Sequence, residues 1–158
     1  VEHNIPKNIP VIIPALPEHV RCIAANMRPA DVAEIRALAW EPESALRISL
    51  RTSLAAWTGT VDGVPVCMFG VCDGEMGEGR PWMIGTADLE RYAVIFLRRC
   101  RKQVERMLDI RPVLANYVSV DNNRAIQWLT WLGFTIDAPL PWGARRQLFH
   151  RFELRRTT

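Results

Sequence analysis

Side chains able to do chemistry are few in these 158 residues, and they do not cluster along the sequence. The three histidines, His3, His19 and His150, are too scattered for a metal-binding motif, and none of the four cysteines forms a CxxC pair. Cys22, Cys67 and Cys100 have apolar neighbours, so the cysteines read as reduced core thiols of an intracellular protein. Cys67 and Cys72 are five apart in one strand-like run and point to opposite faces of it. The segment DGEMGEG, residues 73–79, is an acidic turn whose Asp73, Glu75 and Glu78 can take a proton or attract a cation. The phenolic proton donors are Tyr92 and Tyr117. Asn122 stands where a strand-like run meets a helix-like one, a junction from which its carboxamide can hydrogen-bond an extended ligand.

The elements that must position these groups are legible from periodicity. Residues 1–17 carry Pro6, Pro10, Pro14 and Pro17 and form an extended arm. Val20 to Ala25 reads as a short strand. Pro29 starts a helix with Asp31 in its first turn and an apolar face at Val32, Ile35, Leu38 and Ala39. A second helix is expected from Glu43 to Ala55. Trp57 to Val61 and Val64 to Cys72 are strands joined by the hairpin pair Asp62-Gly63. Pro81 to Thr86 is a third strand of this set. A long helix follows from Ala87 to Asp109, with an apolar stripe at Leu89, Ala93, Phe96, Leu97, Cys100, Val104, Met107 and Leu108. Pro112 to Val120 is a strand and Asn123 to Leu132 a helix closed by Gly133. A strand restarts at Phe134, and the last spans Gln147 to Leu154. This order gives an α/β (α+β) single domain over residues 18–154. Its central sheet is mixed but mostly antiparallel, with six or seven strands and helices on both faces, and residues 155–158 form a basic tail.

Composition excludes several classes. With 49% hydrophobic residues the chain can build a real core, and no run of about 20 apolar residues lacks charge, so no spanning helix is expected. No secretory leader is visible around Glu2, His3 and Pro6. The net charge of +3 is unevenly placed: residues 1–90 balance at −5 and residues 91–158 at +8. The basic half offers a surface to phosphates, nucleic acid or an acidic protein, although no zinc-finger or aromatic-basic RNA motif accompanies it. Six tryptophans (Trp40, Trp57, Trp82, Trp128, Trp131, Trp142) serve the core or, at Trp131 and Trp142, a protein contact.

The segment Val118 to Phe134, VSVDNNRAIQWLTWLGF, resembles the cofactor-side motif of the GCN5-related N-acetyltransferase superfamily. Val118, Asn122, Arg124, Ala125, Ile126, Leu132, Gly133 and Phe134 fall in register with it, and the element order over residues 11–154 agrees. The resemblance implies acetyl-coenzyme A as cofactor. Met83, Ile84, Gly85 and Thr86 would lie along its pantetheine arm, Asn122 and Ala125 would hold that arm from the other side, and Arg91 would offset charge at the helix end. Glu75, Glu78 and Tyr117 are the candidates for proton transfer. Two positions depart from the pattern. The strand–helix junction GTADLERYAV, residues 85–94, lacks the glycine-rich phosphate cradle and places Asp88 and Glu90 at the helix end. Leu129 stands where many active relatives carry a thiolate-protonating tyrosine.

A narrower resemblance is to tailed-bacteriophage proteins of this fold associated with virion morphogenesis. It rests on PWMIGT running into the long helix and on YVSVDNNRAIQWLTWLGF. Together with the departures it implies a phage or prophage protein that has lost the chemistry. Such a protein would act through phage or host protein partners, in a bacterial cytoplasm or on a virion. The alternative is an acetyl-coenzyme A-dependent N-acetyltransferase on an amine, and a third reading is a basic protein associated with nucleic acid.

Overall fold

The computed structural model describes residues 8–157; Pro6 and the rest of residues 1–7 of the expected arm lie outside the described residues. Thirteen elements follow in order: β1 Pro10–Pro14, α1 Glu18–Ala25, α2 Pro29–Ala37, α3 Pro42–Thr52, β2 Ser53–Val61, β3 Val64–Asp73, β4 Gly79–Gly85, α4 Leu89–Ile110, β5 Val113–Ser119, α5 Asn123–Leu132, β6 Thr135–Ile136, β7 Leu140–Trp142 and β8 Gln147–Arg155. The strands form one sheet in the order β1-β2-β3-β4-β5-β8-β6, with β7 also on β8. Every pairing is antiparallel except β4 with β5. The expected architecture is therefore present, with eight strands where six or seven were expected. The strand expected to restart at Phe134 is β6; β1 lies within the stretch expected as an extended arm, and the three-residue β7 is too short to leave a periodic signal.

Local chemistry explains the boundaries. Asp62 and Gly63 both take positive φ, 51° and 79°, as a primed hairpin turn requires. Glu41 caps α3 by accepting from the Glu43 and Ser44 N–H groups at 3.1 and 2.8 Å, and Pro42 occupies the first turn. Asn122 caps α5, which ends at Gly133 in the left-handed region, φ 100°.

Two expectations need correcting. Residues 20–25 belong to helix α1, not a strand. Val20 and Ile23 are its buried residues, three apart as on one face of a helix. The third helix stops at Thr52, and Ser53 to Ala56 extend β2, where Ser53 and Ala55 pair with Cys72 and Val71.

Each sheet face carries its own core. Against one face pack α1 to α3, burying Val20, Ile23, Leu46, Met68 and Ile84. Against the other pack α4 and α5, burying Cys67, Phe69, Val71, Phe96, Cys100, Met107 and Leu114. Cys67 and Cys72 do point to opposite faces, the latter meeting Ser49, Thr52 and Ser53 around α3. All four cysteines are free thiols. Burial pushes Cys67 up to about 12 and Cys100 up to about 11, so both stay protonated near neutrality. The Arg99 guanidinium donates to the Pro10 carbonyl and ties α4 to the edge strand.

Helix α4 closely approaches the sheet at Gly59. A Cβ there would lie 2.7 Å from both the Phe96 ring and Cys67 Sγ. Phe96 fills this approach and is 2% exposed. Phe96→Ala should therefore lower the free energy of unfolding by about 3–5 kcal/mol, read from urea denaturation at neutral pH.

Candidate functional site

β4 and β5 run parallel but share one register pair, Gly79 with Leu114, and then diverge. Beyond that point the β4 edge has no strand beside it. Its Thr86 N–H donates to Val66 of β3, so the pleat alternation turns the backbone groups of Pro81, Met83 and Gly85 toward the gap. Most of these groups are answered by the chain itself. Asn116 Nδ2 of β5 donates to the Pro81 carbonyl at 2.8 Å and bridges the narrow end. At the wide end the Arg28 N–H donates to the Gly85 carbonyl at 2.8 Å, and the Gly85 N–H donates to Asp31 Oδ2 at 2.9 Å. The Met83 N–H and C=O face the gap with no strand opposite.

A cavity of about 750 Å3 runs through the divergence from one sheet face to the other. Met83, Leu97, Val118, Ala125 and Leu129 give it apolar walls. Its far end is bounded by the 73–79 turn, the loop after α2 and the β7–β8 turn. There Tyr117 stacks on Trp142, centroids 3.6 Å apart, and Arg151 donates to Glu78 at 3.1 and 3.3 Å.

Helix α2 spans the wide end. Its Asp31 holds β4 through Gly85, and Glu34 Oε2, one turn on, accepts from Asn122 Nδ2 at 2.7 Å just past β5. Arg28 precedes this helix and is 4% exposed. It reaches Asp31 at 3.1 Å and Glu90 of α4 at 3.6 Å, with its guanidinium 4.7 Å from the Trp128 ring centroid. Asp31 and Arg28 thus pair in a largely dry place, while Glu34 is half-buried and Glu90 exposed. Burial raises the Asp31 carboxyl, although Arg28, the Gly85 N–H and Asn122 all pull it down. Burial also raises Glu34, to about 7, and the Asp31 charge adds to the rise; hydrogen bonds from Asn122 and the Ser119 backbone, and the Arg28 charge, oppose it.

The structure brings most of the expected site residues together. Met83, Ile84, Asn122, Ala125, Glu75, Glu78 and Tyr117 all line the cavity. Gly85 and Thr86 are at its wide end, but their backbone groups bond to Asp31, Arg28 and Val66. The Ala87 N–H donates to Asn26 O at 3.2 Å. The Asn122 carboxamide is engaged at both ends, its oxygen 3.4 Å from the Ala125 N–H and its nitrogen on Glu34. Arg91 is exposed and does not line the cavity; its guanidinium lies 5.6 Å from the Tyr92 ring. Glu78 is committed to Arg151, while Glu75 is exposed on the turn. Sequence reasoning missed Arg28 and Glu34 and read Asp31 only as a first-turn acid. The available signal was a pair of acids at positions 31 and 34, beside Ile35 on the face of α2 that turns inward.

The basic surplus is partly neutralised locally. Arg111 pairs with Asp73, Arg151 and Arg155 with Glu153, and Arg156 with Asp109, while Arg101 lies over Trp131. No group of three metal-ligating side chains occurs among the described residues, and no helix there is long and apolar enough to cross a membrane.

No family model matches the chain, and no curated protein matches it in sequence. Its fold matches solved structures over nearly its whole length. The ribosomal-protein-S18-alanine N-acetyltransferase from Escherichia coli superposes with a TM-score of 0.66 at 14% identity, covering 95% of this chain and 96% of that one. An acetyltransferase of the GNAT family from Streptococcus pneumoniae gives 0.66 at 12% identity, covering 94% and 100%. The spermidine N-acetyltransferase from Vibrio cholerae, solved with CoA and spermine, gives 0.66 at 12% identity, covering 92% and 95%. The fold is thus that of the GCN5-related N-acetyltransferase superfamily. The expectation of a phage or virion protein is overturned: the similar structures are acetyltransferases of cellular organisms, and none is a phage or virion protein.

Glu34 links the site to stability with a definite sign. A carboxyl raised from 4.5 to about 7 in the folded state favours folding below its unfolded value, and that contribution is lost as pH rises from 4.5 through 7. Urea denaturation should therefore show the chain losing stability relative to Glu34→Gln between pH 5 and pH 8, by up to about 3 kcal/mol. Parallel pH curves for the two proteins would contradict this.

Proposed function

We propose that the chain is an acetyl-coenzyme A-dependent N-acetyltransferase acting on an amine. One observation carries this reading: a parallel strand pair opened into a through-sheet cavity, with Met83 on an edge that no strand among the described residues pairs. An arm carrying amide groups can pair with Met83 as a strand would, and the walls at Leu97, Val118, Ala125 and Leu129 suit its methylenes. When bound, the cofactor supplies an activated thioester carbonyl.

The arm fits better than the diphosphate. The N–H groups of Gly85, Thr86 and Ala87, which would cradle phosphate at the start of α4, are bonded to Asp31, Val66 and Asn26. Asp88 and Glu90 add negative charge at the same helix end. Binding then rests mainly on the arm. The remaining roles fall to this chain's own residues. Met83 presents an N–H that can hold a carbonyl oxygen as it gains charge. Leu129 has no proton to give, and of the two tyrosines only Tyr117 lines the cavity. Glu75, exposed on the far rim, offers a charge to a cationic amine.

Calorimetric titration with acetyl-coenzyme A tests the reading. Saturable binding at micromolar concentration is expected, and Ala125→Phe, which places a ring in the cavity, should weaken it at least about tenfold, roughly 1.4 kcal/mol. Acetyl transfer to a panel of primary amines and polyamines should follow. No heat of binding up to millimolar acetyl-coenzyme A would overturn it.

A further inference from the structure

Moving an acetyl group to an amine needs a group that accepts a proton, because amines reach the protein as ammonium ions and only the neutral nitrogen attacks. The cavity offers four carboxylates. Glu78 is held by two hydrogen bonds from Arg151, which occupy it. Glu75 is exposed on its turn. Asp31 is fixed between the Arg28 guanidinium and the Gly85 N–H. Glu34 differs from all three in combination: it is half-buried, no Lys or Arg among the described residues forms an ion pair with it, and its partner is the neutral Asn122 amide.

We infer that Glu34 is the residue that takes the proton from the acceptor amine. The inference rests on the acetyl-transfer reading and deepens it. Helix α2 places Glu34 one turn beyond Asp31, which is itself bonded to Gly85, two residues along β4 from Met83, or about 7 Å. The carboxylate therefore stands beside the same gap as the Met83 N–H. Asn122, fixed as the cap of α5, fixes Glu34 in turn.

The charged groups around it are accounted for on every packed element. Asp31 lies on its own helix and Arg28 just before that helix. Glu90 of α4 approaches through Arg28, and β5 and α5 contribute the uncharged Ser119 and Asn122, with exposed Asp121 alongside. Burial and Asp31 bring Glu34 to about 7, which matches a proton acceptor working near neutrality.

The proton balance closes. Glu34 takes one proton from the ammonium and frees the nitrogen lone pair. The C–N bond forms as the C–S bond of the thioester breaks, and sulfur leaves with the bonding pair. The second N–H proton goes to sulfur, yielding amide and thiol, and Glu34 returns its proton to water.

The test combines a readout free of activity with a kinetic one. In the free protein, carbon-13 NMR of glutamate carboxyls should show one titrating near pH 7, and that signal should vanish in Glu34→Gln. With the best amine from the panel, kcat/KM of the unaltered chain should rise with pH and level off above about 7. Glu34→Gln, whose amide oxygen can still accept from Asn122, should keep its acetyl-coenzyme A affinity within about threefold and lose about 100-fold or more in kcat. Glu34→Asp should recover part of that loss. A folded Glu34→Gln with unchanged kcat and pH profile, or a Glu34 carboxyl titrating near 4.5, would overturn the inference. Failure of the unaltered chain to bind acetyl-coenzyme A would instead overturn the transferase reading beneath it, and that result involves no variant at position 34.

Discussion

The divergence of β4 from β5 after a single shared pair is the constraint on which the rest depends. A strand edge inside a protein carries N–H and C=O groups that cost free energy if left dry and unpaired. Here the chain answers them one at a time. Asn116 reaches Pro81 at the narrow end; Arg28 and Asp31 meet Gly85 at the wide end, where Met27 bridges to Thr86 and Asn26 accepts from Ala87. Midway along, Met83 has no strand among the described residues on its outer side. The position of the site follows from this accounting: it is a stretch of edge that a ligand can complete.

Closing the wide end with charged groups has a physical cost. Arg28 and Asp31 are almost fully withdrawn from water, and a buried ion pair adds little net stability compared with an apolar filling of the same shape. Arg28 is held by several partners at once: Asp31, Glu90 and the Trp128 ring. Through them it joins α2, α4 and α5 around the opening. The same cluster holds Asp31 close enough to Glu34 for its charge to raise the affinity of Glu34 for a proton. A purely structural clasp could be apolar, as it is in the core around Leu46 and Met68, and would not need a second carboxylate facing the gap.

Much of the fold could be read from sequence because its signals are local. The stripe on α4, the Asp62-Gly63 turn and the Asn122 to Gly133 helix each declare themselves within a few turns of chain. Residues 20–25 misled because a short apolar run with Val and Ile suits either strand or helix. The site was half legible. Met83, Asn122 and Ala125 were placed by the resemblance of residues 118–134 and of the element order to the acetyltransferase pattern. Arg28 and Glu34 were not, since nothing in sequence says that residues 28–34 lie against residues 85 and 122. That neighbourhood exists only once β4 and β5 have parted and α2 has settled across them.

Asn122 shows how a recognisable motif can serve a different purpose. In sequence its carboxamide is free to meet a ligand. In the structure the oxygen caps α5 and the nitrogen is on Glu34, so its contribution passes through a carboxylate. The loss of the phosphate cradle has the same origin. Asp31 occupies the Gly85 N–H that would otherwise face an anion, and with Glu90 it gives the Arg28 neighbourhood a net negative charge once both acids are ionised. A diphosphate there would meet like charge at low dielectric, where repulsion is felt most strongly. The chain has thus traded an anion site for a proton site at one end of one cavity. Both changes come from placing two acids, three residues apart, on the face of α2 that turns toward the parted strands.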